Sequence, residues 1–295
     1  MTRPEPLTEI SLRKIIFATD FSPASGSAFT YALAISDLYH SELYVAHVIS
    51  LDIFDLIAPD SAATILNEAR ERARAKIGQL LGPGGLHTDR YQSVIAEGAV
   101  AEVLGEIIQR DHIDLAVLGT HGRRPFRKLL LGSTAEEVFR VAPCPVLMVG
   151  PKTSSAPAKL HLRHILYPLQ FIPDSSKAAS YAISLAEQYA ANLTVMNVRE
   201  DMPSTTSKSE QITEPVESWI EDHIPKGSDL RKRLRFERGF GPATKAILDF
   251  AMKEDVDAIV MSVTRLDPVM AAHLPKPDTA YEVVSGAPCP VLTIR

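Results

Sequence analysis

The stretch GTHGRRPFRKLLLGS, Gly119 to Ser133, sets three glycines and a hydroxyl around a basic and apolar insert. Gly119 and Gly122 allow a tight turn and let the backbone approach a ligand with no Cβ in the way. Gly132, Ser133 and Thr134 open the amphipathic segment STAEEVFRVA. A helix starting there presents unbonded N–H groups, the positive end of its dipole and two hydroxyls, which together make a phosphate cradle. Arg123, Arg124, Arg127 and Lys128 lie between the glycines, where they could neutralise phosphate charge. The same residues also suit a plainer role: Ser133 or Thr134 could cap the helix, and a basic loop is usually only solvated. The pattern is neither a Gly-Lys-Ser/Thr phosphate loop nor a Gly-x-Gly-x-x-Gly dinucleotide turn, both of which would follow the first strand.

Other chemistry-bearing residues are few. Asp20, with Thr19 beside it, follows the apolar run KIIFAT; it is a candidate ligand contact, or else a turn residue or cap before FSP. His47 and His121 have no His or carboxylate at ligand spacing, so a core or loop role is expected of both. Cys144 and Cys289 are the two cysteines, each inside the hexapeptide APCPVL. With no second ligand nearby they make no zinc site, and two small buried residues at strand starts are expected.

The elements that must position the glycine loop follow from alternation. KIIFAT, ELYVAHVI, YQSVIAEG, DLAVLGT and PVLMV read as buried strands. Between them lie helical stretches: one opened by Ser22 as cap and Pro23 at its first position, with Phe29, Leu33 and Leu38 expected on one face; then SAATILNEARERARAKIGQLL, AVAEVLGEIIQRD and STAEEVFRVA. Five strands alternating with four helices predict a parallel sheet covered on both faces. In such sheets ligands bind beyond the carboxyl ends of the strands, and DLAVLGT runs into the glycine loop at that end.

The unit is written twice. APCPVLMV from Ala142 recurs as APCPVLTI from Ala287, and the first strand and helix from Lys14 recur from His164. EGAVAEVLGEIIQRDHIDLAVLGTHGR from Glu97 also recurs, as GFGPATKAILDFAMKEDVDAIVMSVTR. The nearly constant offset predicts tandem domains of about 140 residues each: 1–150, a Pro/Ser/Ala/Lys linker at 151–162, and 163–295. In the second unit, the polar, proline-broken segment DMPSTTSKSEQITEPVE predicts a long loop before a helix containing Trp219.

Bulk composition narrows the function classes. The chain has 295 residues, 45% hydrophobic and 23% charged, with a formal net charge of -5. That balance fits a globular protein and gives no sign of a nucleic-acid binder. No apolar run is long enough for a bilayer, and MTRPEPLTEISLRK lacks the apolar core of a signal peptide. The cytoplasm is the expected compartment, and its reducing conditions argue against a disulfide.

Taken together, these motifs resemble the universal stress protein family. That family's loop reads Gly-x-x-Gly, nine residues, then Gly-Ser/Thr; here Gly119 and Gly122 are followed by Arg123 through Leu131 and then Gly132-Ser133. ATDFSP after the first strand, AHV at the end of the second and APCPVLMV at the last extend the match across nearly the whole first unit. The resemblance implies a flavodoxin-like α/β fold in each unit, similar to the adenine nucleotide alpha hydrolases, with strand order 3-2-1-4-5. It also implies an ATP site with Mg2+ or Mn2+ carried on the phosphates. Ala18, Thr19 and Asp20 would meet the nucleoside, and the backbone at Ala46 or His47 the adenine. Gly119, Thr120, His121, Gly122 and Arg123 would lie near ribose and phosphates, with Gly132, Ser133 and Thr134 holding the phosphates.

The second unit keeps the frame and loses the site. Leu169 and Gln170 stand where Thr19 and Asp20 were, Ser262 and Arg265 where Gly119 and Gly122 were, and Pro277 and Asp278 where Gly132 and Ser133 were. Proline removes an N–H and a carboxylate repels phosphate. The sequence therefore predicts a stress-response regulator that binds adenine nucleotide in its first domain only. A slow ATPase and a scaffold that binds no nucleotide are the alternatives. Pairing of the two last strands within one chain is expected from the family's habit of dimerising there, and further homo-oligomers are compatible with it.

Overall fold

Short runs of β-branched and aliphatic residues, each followed by an amphipathic segment, can bury both faces of a strand only if helices cover them. That is how the chain folds in the computed structural model, which describes residues 10–51, 59–82, 90–120, 131–153, 160–169, 175–199, 219, 223–263 and 279–295. The chain divides into two compact units, one containing residues 11–160 and the other 161–264 and 275–295.

In the first unit the strands are β1 (Lys14–Ala18), β2 (Glu42–Ile49), β3 (Tyr91–Glu97), β4 (Leu115–Gly119) and β5 (Val146–Val149). The helices are α1 (Pro23–Tyr39), α2 (Pro59–Leu80), α3 (Val100–Arg110) and α4 (Ser133–Val141). All pairings are parallel, β1 lying between β2 and β4, β3 outside β2, and β5 outside β4. This is the order 3-2-1-4-5. Because the chain adds β2 and β3 on one side of β1 and then β4 and β5 on the other, right-handed crossovers put α1 and α2 on one face and α3 and α4 on the opposite one.

The second unit repeats this with β6 (His164–Pro168), β7 (Asn192–Arg199), β8 (Leu234–Phe240), β9 (Ala258–Ser262) and β10 (Val291–Ile294). Its helices are α5 (Ser175–Gln188), α6 (Ala243–Lys253) and α7 (Thr279–Gly286). The parallel order is the same, β8-β7-β6-β9-β10. Trp219 is helical and buried, stacked on His223 and near Tyr167. The long loop expected before it falls at 200–218, outside the described residues.

Both units share a device that the sequence does not announce. Asp114, just before β4, accepts the backbone N–H groups of Arg13 and Lys14 at 2.7 and 2.9 Å. Asp257, just before β9, accepts those of Arg163 and His164 at 2.8 and 3.0 Å. Each carboxylate thus fixes the start of the central strand against its neighbour.

One expectation is corrected. Leu38 does not share a buried face with Phe29: it is 44% exposed, and Leu33 is only partly covered. Nine residues on a helix of 3.6 per turn rotate Leu38 to the side opposite Phe29. The buried face of α1 is Ala28, Phe29, Ala32, Ile35 and Ser36, with the Phe29 ring 5.2 Å from that of Phe17 on β1. Cys144 and Cys289 are buried and in no disulfide, each two residues before a last strand. Among the described residues no helix is long and apolar enough to cross a membrane.

Candidate functional site

Ala18, the last residue of β1, is paired with Ala46 on β2 and Leu118 on β4. The chain therefore leaves the central strand at Thr19 and Asp20 between the carboxyl ends of its two neighbours. The strand order reverses between β1 and β4, so this is the topological switch point where open α/β sheets take ligands.

The turn from β1 into α1 is built from hydroxyls. Thr19 donates its N–H to Ala46 O at 2.9 Å. Its Oγ1 accepts from Phe21 N–H at 2.9 Å and lies 3.0 Å from Ser25 Oγ. Ser22 caps α1, its Oγ accepting from Ser25 N–H at 3.2 Å, with Pro23 following. Asp20 Oδ1 accepts from Ser22 N–H at 2.9 Å, so the turn role open to this aspartate is filled. Between them Phe21 takes a φ of 59°, a left-handed backbone that costs a non-glycine residue about 1–2 kcal/mol. Its ring lies 4.6 Å from that of His47 and has Lys76 Nζ over it at 5.1 Å.

His47 is neither a ligand cluster member nor a simple core residue. Its Nδ1 lies 2.7 Å from Thr19 O; a carbonyl can only accept, so this nitrogen carries a proton and donates. The histidine clamps the same turn from β2. Among the described residues no group of three His, Cys, Asp or Glu is placed to hold a metal.

Gly119 ends β4 and Thr120 follows it, fully buried, its N–H donating to Val149 O at 3.0 Å. Thr120 O accepts from Gly132 N–H at 2.8 Å. The two ends of the glycine loop therefore meet, and α4 begins beside the end of β4. Gly132, with φ −62° and ψ 147°, is the cap residue of α4, and Ser133 is its first helical residue. A hydroxyl cap by Ser133 or Thr134 is thereby replaced by a cap with no side chain. The first intrahelical bond runs from Glu136 N–H to Gly132 O at 2.9 Å, so Ser133, Thr134 and Ala135 offer N–H groups with no carbonyl inside the helix. His121, Gly122, Arg123, Arg124, Arg127 and Lys128 lie outside the described residues.

The second unit has the same backbone frame with other side chains on it. Leu169 donates its N–H to Met196 O at 2.7 Å, the counterpart of the bond from Thr19 to Ala46. Ser262 is paired with Ile294 as Gly119 is with Val149. It is buried, and among the described residues its hydroxyl has no hydrogen-bond partner, so a side chain stands where the first unit has none. Gln170, Arg265, Pro275, Pro277 and Asp278 lie outside the described residues.

Sequence reasoning missed Ser25 and Phe21. The available signal was the spacing FSPAS, in which a second serine stands three residues after the helix cap and so one turn along from it.

A family model described as "Universal stress protein family" matches residues 11–150 and again 161–295. A universal stress protein of Methanocaldococcus jannaschii is 30% identical over 143 residues, 46% of this chain and 81% of its own. The crystal structure of a universal stress protein from Archaeoglobus fulgidus superposes with a TM-score of 0.69 at 20% identity, covering 96% of this chain and 98% of the other. A further universal stress protein, solved in complex with cAMP, is 25% identical over 48% of this chain and 98% of its own, with a TM-score of 0.33. Two matched segments, spanning both units, establish that the chain is a tandem member of the universal stress protein family.

Proposed function

We propose that this protein is a cytoplasmic stress-response regulator that binds ATP in its first domain only, residues 1–150, while 163–295 forms a degenerate partner domain beyond the linker 151–162. The observation that carries this reading is the bond from Gly132 N–H to Thr120 O at 2.8 Å. It holds the donor-bearing start of α4 at the carboxyl end of β4, one strand from the turn that carries Asp20. The donor set suits a polyanion: helix N–H groups and hydroxyls, with basic residues in the adjoining sequence.

In this reading Asp20, with Ala18 and Thr19 beside it, faces the nucleoside, and the backbone at Ala46 faces the base. Gly119, Thr120, His121, Gly122 and Arg123 flank the ribose and phosphates, and Gly132, Ser133 and Thr134 receive the phosphates. Bound Mg2+ or Mn2+ would screen phosphate charge and be held by the phosphates themselves. No side chain is assigned to catalysis, because among the described residues no general base or arginine finger stands at a defined place. The last strands, VLMV and VLTI, are aliphatic or sulfur-bearing but for Thr293, and their mutual pairing belongs to the proposal, since it would cover two sheet edges at once.

Mass spectrometry of small molecules released from the purified, denatured protein tests the reading, together with a calorimetric titration by ATP and Mg2+. Released adenylate and one site per chain are expected. No nucleotide released and no heat at millimolar ATP would make the protein a scaffold. Steady release of ADP by the loaded protein would make it a slow ATPase.

A further inference from the structure

The hydroxyls of Thr19 and Ser25 have a fixed direction. Ser25 Oγ donates to Ser22 O at 2.8 Å, and a serine hydroxyl has only one hydrogen. In the 3.0 Å contact between the two hydroxyls, Thr19 must therefore be the donor. Thr19 Oγ1 at the same time accepts from Phe21 N–H. Its one proton is thus committed inward, and Thr19, 7% exposed, has none to give a ligand. Ser25 is 4% exposed, and its hydroxyl faces the turn backbone.

What this relay fixes is the turn itself. Phe21 is held at a φ of 59° by Thr19 Oγ1 on its amide and by the His47 ring against its own. The amide of the next residue, Ser22, is bound by Asp20 Oδ1. Asp20 thus stands between Thr19, which carries that hydroxyl, and the strained Phe21, whose amide the hydroxyl binds. We infer that Ser25 and Thr19 act as positioning residues for Asp20 in the nucleotide site, with Thr19 a relay inside the turn and not a ligand contact. The inference rests on the ATP reading above.

The chain supplies an internal comparison. In the second unit, where Gln170 replaces Asp20, Leu169 replaces Thr19 and Ile172 replaces Ser22. Ser175 still stands where Ser25 was, and the backbone bond from Leu169 to Met196 survives, so the fold keeps its turn anchor without the hydroxyls of Thr19 and Ser22. The relay was lost where the aspartate was lost.

The test is calorimetric titration of the full chain with ATP and Mg2+, for the wild type, Ser25→Ala, Asp20→Asn and the double variant. Ser25→Ala is expected to weaken binding about tenfold, the effect of one hydrogen bond. The double variant should bind no more weakly than Asp20→Asn alone, because Ser25 acts through Asp20. A further tenfold loss in the double variant would mean a general loosening of the fold and would overturn the positioning role. If Ser25→Ala does not fold by circular dichroism, Thr19→Val and Thr19→Ser carry the same test. The first is expected to lose affinity and the second, which keeps the hydroxyl, to bind as wild type; equal binding by both overturns the inference. Failure of the wild type to bind ATP would sink the nucleotide reading instead. The relay would then be judged by hydrogen exchange at the Phe21 amide. Protection should be lost in Thr19→Val and kept in Thr19→Ser, and protection in both would overturn it.

Discussion

The amide of Gly132 donates to the carbonyl of Thr120 at 2.8 Å, closing the glycine loop at its base. At φ −62° and ψ 147°, Gly132 has a backbone that proline also adopts. Gly132→Pro would therefore leave the helix entry sterically possible while deleting the N–H that ties it to Thr120. The expected outcome is loss of ATP binding, read by calorimetry, with a stability cost of about 1 kcal/mol for the missing bond. ATP binding at wild-type affinity would mean that the closed loop is not the cradle.

Saturating ATP with Mg2+ should raise the melting temperature, since a ligand held only by the native state stabilises it. At a hundredfold excess over Kd the gain is about 2.7 kcal/mol. An unchanged midpoint in a thermal scan at millimolar ATP would rule out a working pocket.

Titration should give one nucleotide per chain. Gly122→Val and Gly132→Val in the first unit should each reduce that number to zero, because a branched side chain would meet the phosphates. In the second unit a buried side chain, Ser262, already stands at the strand end, without a hydrogen-bond partner among the described residues. Two equivalent sites per chain would show that the second unit binds by contacts other than those of the first.

The carboxylate clamps make a stability prediction. Asp114→Ala leaves the amides of Arg13 and Lys14 without their acceptor, and Asp257→Ala does the same to Arg163 and His164. Each should cost about 2 kcal/mol, the range of a hydrogen bond to a charged group. Chemical denaturation measures it, and a change below a few tenths would show that water replaces the carboxylate freely.

Burial pushes the Cys289 thiol from its ordinary 9.0 up to about 12, with the Asp257 carboxylate adding to the shift. The folded state therefore prefers the neutral thiol, and the unfolded chain ionises first. This contribution to stability is complete below about pH 9 and is lost as the pH rises from there toward about 12. Cys289→Ser should flatten the fall of the melting temperature in that window. In the native protein Cys289 should also resist thiol reagents at pH 8 until the chain is unfolded.

Much of the fold was legible in the order of the residues. Strands such as KIIFA and LAVLG are continuous apolar runs because both their faces are covered, and helices between them follow from the parallel topology. The tandem repeat was equally plain, since APCPVL and the first strand and helix are written twice. The glycine spacing and the position of Asp20 after the first strand marked one end of one sheet as the candidate site. These are local features, carried by residue type and spacing.

Tertiary structure decided the rest. Leu38 belongs to α1 by propensity, but only the sheet decides which side of that helix is buried, and it is not Leu38's. The capping of α4 falls to Gly132 and not to a hydroxyl, because Gly132 N–H is drawn to Thr120 O on the neighbouring strand end. The direction of the relay from Thr19 to Ser25 depends on a third atom, Ser22 O, taking the serine's proton. His47 reaches Thr19 O across a strand pairing, a contact between residues distant in sequence. A hydrogen bond needs both partners within about 3 Å and correctly aimed. Sequence spacing fixes that only within one turn of a helix or one tight loop, whereas across strands the sheet register fixes it.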